Sequence, residues 1–244
     1  MKEILDKLTN DQEYYHGVGK NYLSNSDIGT LLRNPKEFGV SRPDSKEFAV
    51  GRYFHQLILE PDKAQDFPVV DVATRNNKAY REFIADRRLE IALLQKEVDD
   101  VHSWVSSINS NILFFDDLYS EDNQYEVPMI KEIKGEMWKG KADILAPDKI
   151  IDLKSTSNIN DFKKKASYYN YDSQCYIYQC LFDRPLVFYV VDKQTQMIGM
   201  FEPKQSFIDR GEEKVEKAIE VYRKFYGENP TEDIENFFIY DELI

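Results

Sequence analysis

Apolar residues return along this chain with two different spacings, and the change from one to the other divides it. Up to about residue 115 they recur every three or four positions, as on helices that bury one face. Met1 to Leu8 reads as a short amphipathic helix, and Asp11 to Asn21 breaks the pattern as a loop. A helix is expected from Ser24 to Phe38, with Asp27 at the capping-box position and a stop or bend at Asn34-Pro35. Ser45 to Glu60 follows, with Phe48, Gly51, His55 and Leu59 at helical spacing on one face, and then two more helices, Arg75 to Lys96 and Val98 to Ile108. The basic residues of those two, Arg81, Arg87, Arg88 and Lys96, read as a solvated face or as contacts to a phosphate backbone.

From Gln124 the spacing shortens to two, the period of strands. Gln124 to Ile133 and Gly135 to Leu145 are expected to form a hairpin joined at Lys134-Gly135. A second hairpin follows, its arms Trp138 to Leu145 and Lys149 to Leu153 and its turn Pro147-Asp148. Symmetric pairing about that turn sets Asp143 opposite Asp152 and Lys141 opposite Lys154. Helical spacing returns from Ile159 to Phe182, Leu186 to Asp192 and Gln196 to Phe201 read as a last pair of strands, and Phe207 to Phe225 as a charged amphipathic helix. The pattern is that of one α/β domain over residues 1–227. It has a helical part (1–115), a part with the sheet and its helices (116–227), and a tail at 228–244.

With 244 residues, 42% of them hydrophobic, the chain can bury a substantial core, and no second one is expected. No apolar run approaches the length that spans a bilayer, and Met1-Lys-Glu-Ile-Leu-Asp lacks the features of a signal peptide, so a cytoplasmic protein without membrane partners is expected. Cys175 and Cys180 are the only cysteines, too few for an iron–sulfur cluster and poorly spaced for a disulfide. The net charge of −12 argues against a protein that simply coats nucleic acid, but six uncompensated acids lie in the tail after Lys224, and the body permits a local basic channel.

Two carboxylates facing each other on a sheet repel unless a cation lies between them. A divalent metal would settle Asp143 and Asp152, and Mg²⁺ suits oxygen donors of this kind and phosphate substrates. Such a metal lowers the pKa of a bound water and stabilises charge on a scissile phosphate, while Lys154 beside it can position the nucleophile. The acid-x-Lys spacing alone is uninformative, because it recurs at Asp44/Lys46, Glu132/Lys134, Asp161/Lys163, Glu202/Lys204 and Glu212/Lys214. Only Asp152-Leu-Lys154 follows an apolar β-branched run and has an acid facing it across a turn.

Taken with Tyr15-His-Gly, Leu23-Ser-Asn-Ser-Asp-Ile, Gly51-Arg-Tyr-Phe-His55, Gly140-Lys-Ala-Asp143 and Gln174-Cys-Tyr-Ile-Tyr178 in that order, this stretch resembles the PD-(D/E)XK nucleases. The likeness is stronger to the phage and prophage recombination exonucleases of the exonuclease VIII (RecE) type, relatives of lambda exonuclease, and it runs from about Tyr15 to Tyr178. The resemblance implies a restriction-endonuclease-like core with a central mixed sheet. It also implies Mg²⁺ or Mn²⁺ on Asp143, Asp152 and the main-chain carbonyl of Leu153, with His55 as a ligand or orienting group. Glu126 is either part of a second metal position or a solvent-facing strand residue.

Ser26 reads as a turn residue or, by resemblance, as a phosphate contact; Gln174 and Tyr178 are expected to support Lys154 and touch DNA. Lys141, where some relatives have a small residue, would either depress the pKa of a facing Lys154 or extend the phosphate grip. Lys163 to Lys165, near a helix start, suggest phosphate, and Tyr168, Tyr169 and Tyr171 suggest either packing or base stacking. The expected substrate is a duplex DNA end cut from its 5′ terminus, the expected assembly a homo-oligomeric ring, and the expected partner a single-strand annealing protein in a bacterial cytoplasm, phage- or prophage-encoded. An endonuclease of the same superfamily and an inactive binding module are the competing functions.

Overall fold

The structure is a computed structural model that describes residues 2–41 and 43–239, so Met1 and the end of the tail, with Tyr240, Asp241 and Glu242, lie outside the described residues. The helical part comprises α1 (Lys2–Leu8), α2 (Asp11–Tyr15), α3 (Asn25–Arg33), α4 (Lys46–Leu59) and α5 (Pro61–Gln65). It continues with β1 (Val69–Val70), α6 (Lys78–Arg87), β2 (Leu93–Leu94), α7 (Gln95–Asn109) and α8 (Ile112–Leu118). Then come β3 (Gln124–Ile133), β4 (Glu136–Leu145), β5 (Ile150–Thr156), α9 (Phe162–Lys165), α10 (Tyr171–Phe182), β6 (Leu186–Asp192), β7 (Ile198–Phe201) and α11 (Gln205–Phe225).

The strands β3 to β7 form one sheet in chain order, antiparallel except for the β5–β6 pair, whose crossover is made by α9 and α10. The apolar spacing implies one α/β domain, and the mixed, helix-flanked sheet is the one that the resemblance implies. Each face of the sheet buries a core. On one face α3, α10 and α11 pack over Trp138, Ile150, Phe188 and Val190; on the other α4, α7 and α8 pack over Ile144, Ile151, Leu153 and Tyr189. β6, Leu186 to Asp192, is buried at every residue, which is why it reads as an unbroken apolar run.

Three boundaries differ from the sequence reading, each for a local reason. The loop at 11–21 contains α2, capped by Asn10, whose Oδ1 accepts the Glu13 N–H at 3.2 Å. The helix expected from Arg75 to Lys96 ends at Arg87, because Arg88 takes a left-handed conformation (φ 53°) and the following apolar run is buried as β2, parallel to β1. Ile159 to Phe182 is likewise interrupted at 166–170, where Asn170 is left-handed (φ 60°), so Lys163 to Lys165 lie in the single turn of α9 and not at the start of a long helix. The α3 helix stops at Arg33 before Pro35, at the expected break, and Asp27 caps it as expected, accepting hydrogen bonds from both the N–H and the Oγ of Ser24 at 2.8 and 2.7 Å.

The face of α4 also differs. Its buried side chains are Ala49, Val50, Tyr53, Phe54, Ile58 and Leu59, whereas Phe48 is 66% exposed and Gly51 and His55 lie at the edge of the buried face. The described part of the tail folds back on its own chain: the N–H groups of Thr231 and Glu232 donate to the Lys224 carbonyl, and Phe237 packs on Phe225.

Candidate active site

The site begins with an irregularity in the β3–β4 hairpin. Tyr125 pairs with Ile144 and Val127 with Ala142, but the intervening Glu126 and Asp143 form no ladder pair, and Glu126 has a left-handed φ of 51°. Val127 and Ala142 pack in one core while Tyr125 and Ile144 pack in the other. The alternation of faces therefore reverses at Glu126 and Asp143, and both carboxylates leave the regular pleat together. A left-handed conformation at a residue other than glycine costs about 1–2 kcal/mol, and such strain concentrates at functional positions.

The second irregularity is that β4 and β5 part almost at once. They pair only at Ile144 with Ile151 and at Leu145 with Ile150, in the register the sequence implies, and then diverge. Asp143 thus does not sit in a ladder opposite Asp152. Its Oδ2 accepts the Leu153 N–H at 2.8 Å, taking the place of a strand partner. Lys141 does not face Lys154 either. β5, paired with β6 along its whole length, has left β4 by that point, with Lys154 beside Val190 on β6, while Lys141 binds Asp11 at 2.6 Å and lies 3.6 Å from Glu126.

α4 delivers His55 into the gap between the strands. Its Nδ1 lies 3.4 Å from Asp143 Oδ2 and its Nε2 is 3.1 Å from the Leu153 carbonyl oxygen. One ligand atom from each of His55, Glu126 and Asp143 falls within 4.8 Å of the others. On the opposite side of β5, Asp152 Oδ2 lies 2.6 Å from the Lys154 ammonium but accepts no well-formed hydrogen bond, and Gln174 of α10 donates to Asp152 Oδ1 at 2.5 Å. β5 thus separates two halves of one site, with His55 and the Leu153 carbonyl on the α4 side and Asp152, Lys154 and Gln174 on the α10 side.

The electrostatics are those of crowded acids. Burial, then the charge of Asp143, pushes the Glu126 carboxyl up to about 7. Burial opposes charge on His55, yet Asp143 outweighs it and raises the imidazole above its ordinary value. Burial likewise opposes the negative charge on Asp143, but His55 holds that carboxyl below its usual range. Asp152 is raised, by burial first and then by Asp143. Lys154 is held well above its ordinary value despite burial, because Asp152 faces it, the reverse of the depression that a facing Lys141 would have caused. The donors are carboxylate and carbonyl oxygens with one imidazole, a set that fits Mg²⁺ or Mn²⁺, and a divalent cation would relieve the Glu126–Asp143 repulsion and offer a second partner to the Asp152 oxygen that now has only the Lys154 ammonium beside it.

The remaining sequence-predicted residues fall around this centre. Tyr178 packs over Gly140, where a Cβ would stand 3.2 Å from its ring and 2.6 Å from Leu181, and its hydroxyl donates to the Lys141 carbonyl at 2.9 Å. Tyr178 and Gln174 therefore brace β4 and Asp152, and each has its polar group engaged within the protein. Ser26 is exposed at the start of α3, its Oγ 2.8 Å from that of Ser24. Sequence reasoning missed Lys139, which is buried, donates to the Tyr14 carbonyl at 2.5 Å, and is pushed down to about 8 by burial. It also missed Asp11, the partner of Lys141. The available signal was the shared parity of Lys139, Lys141 and Asp143 along β4.

Mixed sheet, helix-borne histidine and a buried Asp-x-Lys beside a second acid together define a domain of the PD-(D/E)XK nuclease class. A model of the family described as PDDEXK-like domain of unknown function (DUF3799) matches residues 34–231, and the chain belongs to that family. A crystallised protein from Eubacterium rectale, described as a candidate exonuclease, superposes with a TM-score of 0.63 at 17% identity over 96% of each chain, which establishes a common fold. A phage-related exonuclease from Haemophilus somnus 129PT aligns over 81% of this chain and 92% of its own, at 14% identity and a TM-score of 0.35. A search of curated proteins finds no match.

Proposed function

We propose that this protein is a divalent-metal-dependent exonuclease that degrades duplex DNA from its ends, 5′ to 3′, leaving single strands for recombination. The observation that carries the reading is the convergence of His55, Glu126 and Asp143 within 4.8 Å, at the kink where β3 and β4 leave their pleat, beside the Asp152–Lys154 pair. The description of the Eubacterium rectale protein, whose fold this chain shares, supports exonuclease over endonuclease.

Asp143, Glu126, His55 and the Leu153 carbonyl would hold Mg²⁺ or Mn²⁺, with Asp152 completing the set. The bound cation would supply a water of lowered pKa and charge stabilisation on the scissile phosphate. Lys154, held in its charged form by Asp152 and only 19% exposed at its side chain, would orient the attacking water or neutralise a non-bridging oxygen of the phosphate whose phosphorus is attacked. Gln174 keeps Asp152 turned toward Lys154, and Asp143 ties the Leu153 peptide in place. Ser26 would contact backbone phosphates, and so would Lys141 if it exchanged its Asp11 partner for one. Residues 1–227 act as the nuclease domain in a cytoplasmic, phage- or prophage-derived setting. A homo-oligomeric ring would give an acidic chain a locally basic lumen, and a single-strand annealing protein would take up the product.

The test is digestion of linear duplex DNA with a 5′ phosphate beside a covalently closed circle, in Mg²⁺, Mn²⁺ or EDTA. Progressive loss of the linear form alone, stopped by EDTA, is expected. Nicking of the circle would replace exonuclease by endonuclease, and no cleavage in either metal would sink the enzyme reading.

A further inference from the structure

Tyr168 and Tyr169 project from the turn between α9 and α10, 66% and 53% exposed. The turn that carries them is tied down by hydrogen bonds on every side. Asn170 holds a left-handed conformation, and its carbonyl accepts Asn25 Nδ2 at 3.1 Å and Ser173 Oγ at 3.0 Å. Asp172, with no exposed surface, takes the Ser167 hydroxyl at 2.5 Å. Lys214 reaches across from α11 to Asp172 at 2.9 Å and to Asn170 Oδ1 at 3.2 Å, and also donates to the Ser167 carbonyl. An ion pair with its carboxylate buried and side chains from α3, α10 and α11 thus hold in place the backbone that carries two exposed rings.

Those rings lead somewhere. Tyr168 and Tyr169 have centroids 5.3 Å apart, Tyr169 and Tyr171 5.9 Å apart with planes inclined by 35°, and the Lys154 ammonium lies 5.1 Å from the Tyr171 centroid. At the outer end the Arg33 guanidinium sits 5.4 Å over Tyr168. Lys163, Lys164 and Lys165 are exposed just before the turn, with Asp161 at 3.9 and 4.0 Å from the last two offsetting part of their charge. A row of rings therefore runs from the Asp152–Lys154 pair to the surface, flanked by cations in a chain whose overall charge is −12.

We propose that Tyr168 and Tyr169 form a stacking platform for the bases of single-stranded DNA, with Tyr171, itself packed on Phe162 and Phe188, linking it to Lys154 and with Arg33 and Lys163 to Lys165 against the phosphates. Preordered rings with cations beside them are the arrangement that binds single strands without reading sequence, because every base offers a π-face. The link to Lys154 rests on the nuclease reading; the binding itself does not. The platform would hold the strand as it is separated at a duplex end.

The experiment is fluorescence anisotropy of a dye-labelled oligothymidylate with the full-length protein in EDTA, beside an abasic oligonucleotide of the same length. The double variant Tyr168→Ala/Tyr169→Ala is expected to bind oligothymidylate at least about tenfold more weakly and the abasic strand unchanged. Its thermal midpoint should match wild type, and Tyr168→Phe/Tyr169→Phe should bind as wild type does. Equal loss on both oligonucleotides, wild-type affinity in the alanine variant, or no binding by the wild type would overturn the platform. So would a change in mass by light scattering with DNA binding intact, which would make this face a contact between copies of the chain. Failure of the nuclease reading has a different signature: a wild-type protein that binds the oligothymidylate through these tyrosines and cleaves no DNA in Mg²⁺ or Mn²⁺.

Discussion

Two buried aspartates in this protein face a lysine, and they are treated in opposite ways. Asp172 is saturated: Oδ1 accepts the Ser173 N–H and Lys214 at 2.9 Å each, and Oδ2 accepts Ser167 Oγ. Asp152 lies 2.6 Å from Lys154, but only one of its oxygens has a hydrogen bond of good geometry, from Gln174, and a second acid, Asp143, stands near enough to raise its pKa. A saturated pair fixes structure. An unsaturated one, beside further acids that repel it, holds binding capacity in reserve, and the fold tolerates it only where something else is to bind.

The comparison is sharpest when each lysine is removed. Lys154→Ala is expected to lower DNA cleavage by roughly 10²- to 10³-fold or more while the far-ultraviolet dichroism spectrum stays that of wild type, since the lost contact is one that stabilises the reacting phosphate. Lys214→Ala should do the reverse. It leaves the Asp172 charge buried with two hydrogen bonds and no cation, and a loss of roughly 2–4 kcal/mol is expected, read as a thermal midpoint lower by about 5–10 °C. If Lys154→Ala proves the more destabilising of the two, the assignment of roles is wrong.

The same contrast explains what could be read in the chain beforehand. Asp152-Leu-Lys154 was legible because β5 is a regular strand: its period of two puts Ile151 and Leu153 in one core and turns Asp152 and Lys154 toward the other side. The β4–β5 register was legible too, since Pro147-Asp148 fixes it. Legibility stops at Glu126 and Asp143, where both strands reverse the faces they present. A left-handed glutamate in mid-strand has no signature in a pattern of apolar and polar letters, so Asp143 was placed opposite Asp152 when it instead binds the Leu153 amide. His55 was found through the Gly-x-x-x-His resemblance rather than its helix face, for the buried face of α4 is the neighbouring one. The breaks at Arg88 and Asn170 were missed for the same reason as Glu126: each is a single left-handed residue that is not glycine.

Glu126 allows the idea of reserved binding capacity to be tested by stability alone. Its carboxyl is pushed up to about 7 by burial and by Asp143, against an ordinary value of 4.5. For an acid whose folded pKa is raised, ionisation favours the unfolded chain, so stability falls as pH rises from the ordinary value through the folded one and then levels off. Glu126→Gln removes that penalty. Without metal, it is expected to be more stable than wild type by on the order of 2–3 kcal/mol above pH 7, with the difference vanishing near pH 4. Added Mn²⁺ should raise the melting temperature of wild type above pH 7 and raise that of the variant much less, because the charge that was costly is the one that binds the cation. A variant no more stable than wild type in EDTA at pH 8 would show that the acids are already accommodated.

The smallest expected effect concerns Gly51, one helical turn before His55. A Cβ built there meets nothing within 4 Å, so the protein alone gives no packing reason for a glycine in the middle of α4. Gly51→Ala should stabilise the helix by about 0.5–1 kcal/mol, a rise in thermal midpoint of a few degrees at most. If the open space over Gly51 is where the DNA backbone passes on its way to His55, that gain comes with a cost in function: KM for duplex ends should rise while the Mn²⁺-dependent shift in melting temperature is unchanged, since no metal-binding atom has moved. A variant that is both more stable and fully active would mean that the space is simply solvent, and that the α4 contribution to the site is confined to the imidazole. Higher stability with weaker substrate binding would place Gly51 with Asp152, at a position where the fold has forgone stability for room to bind.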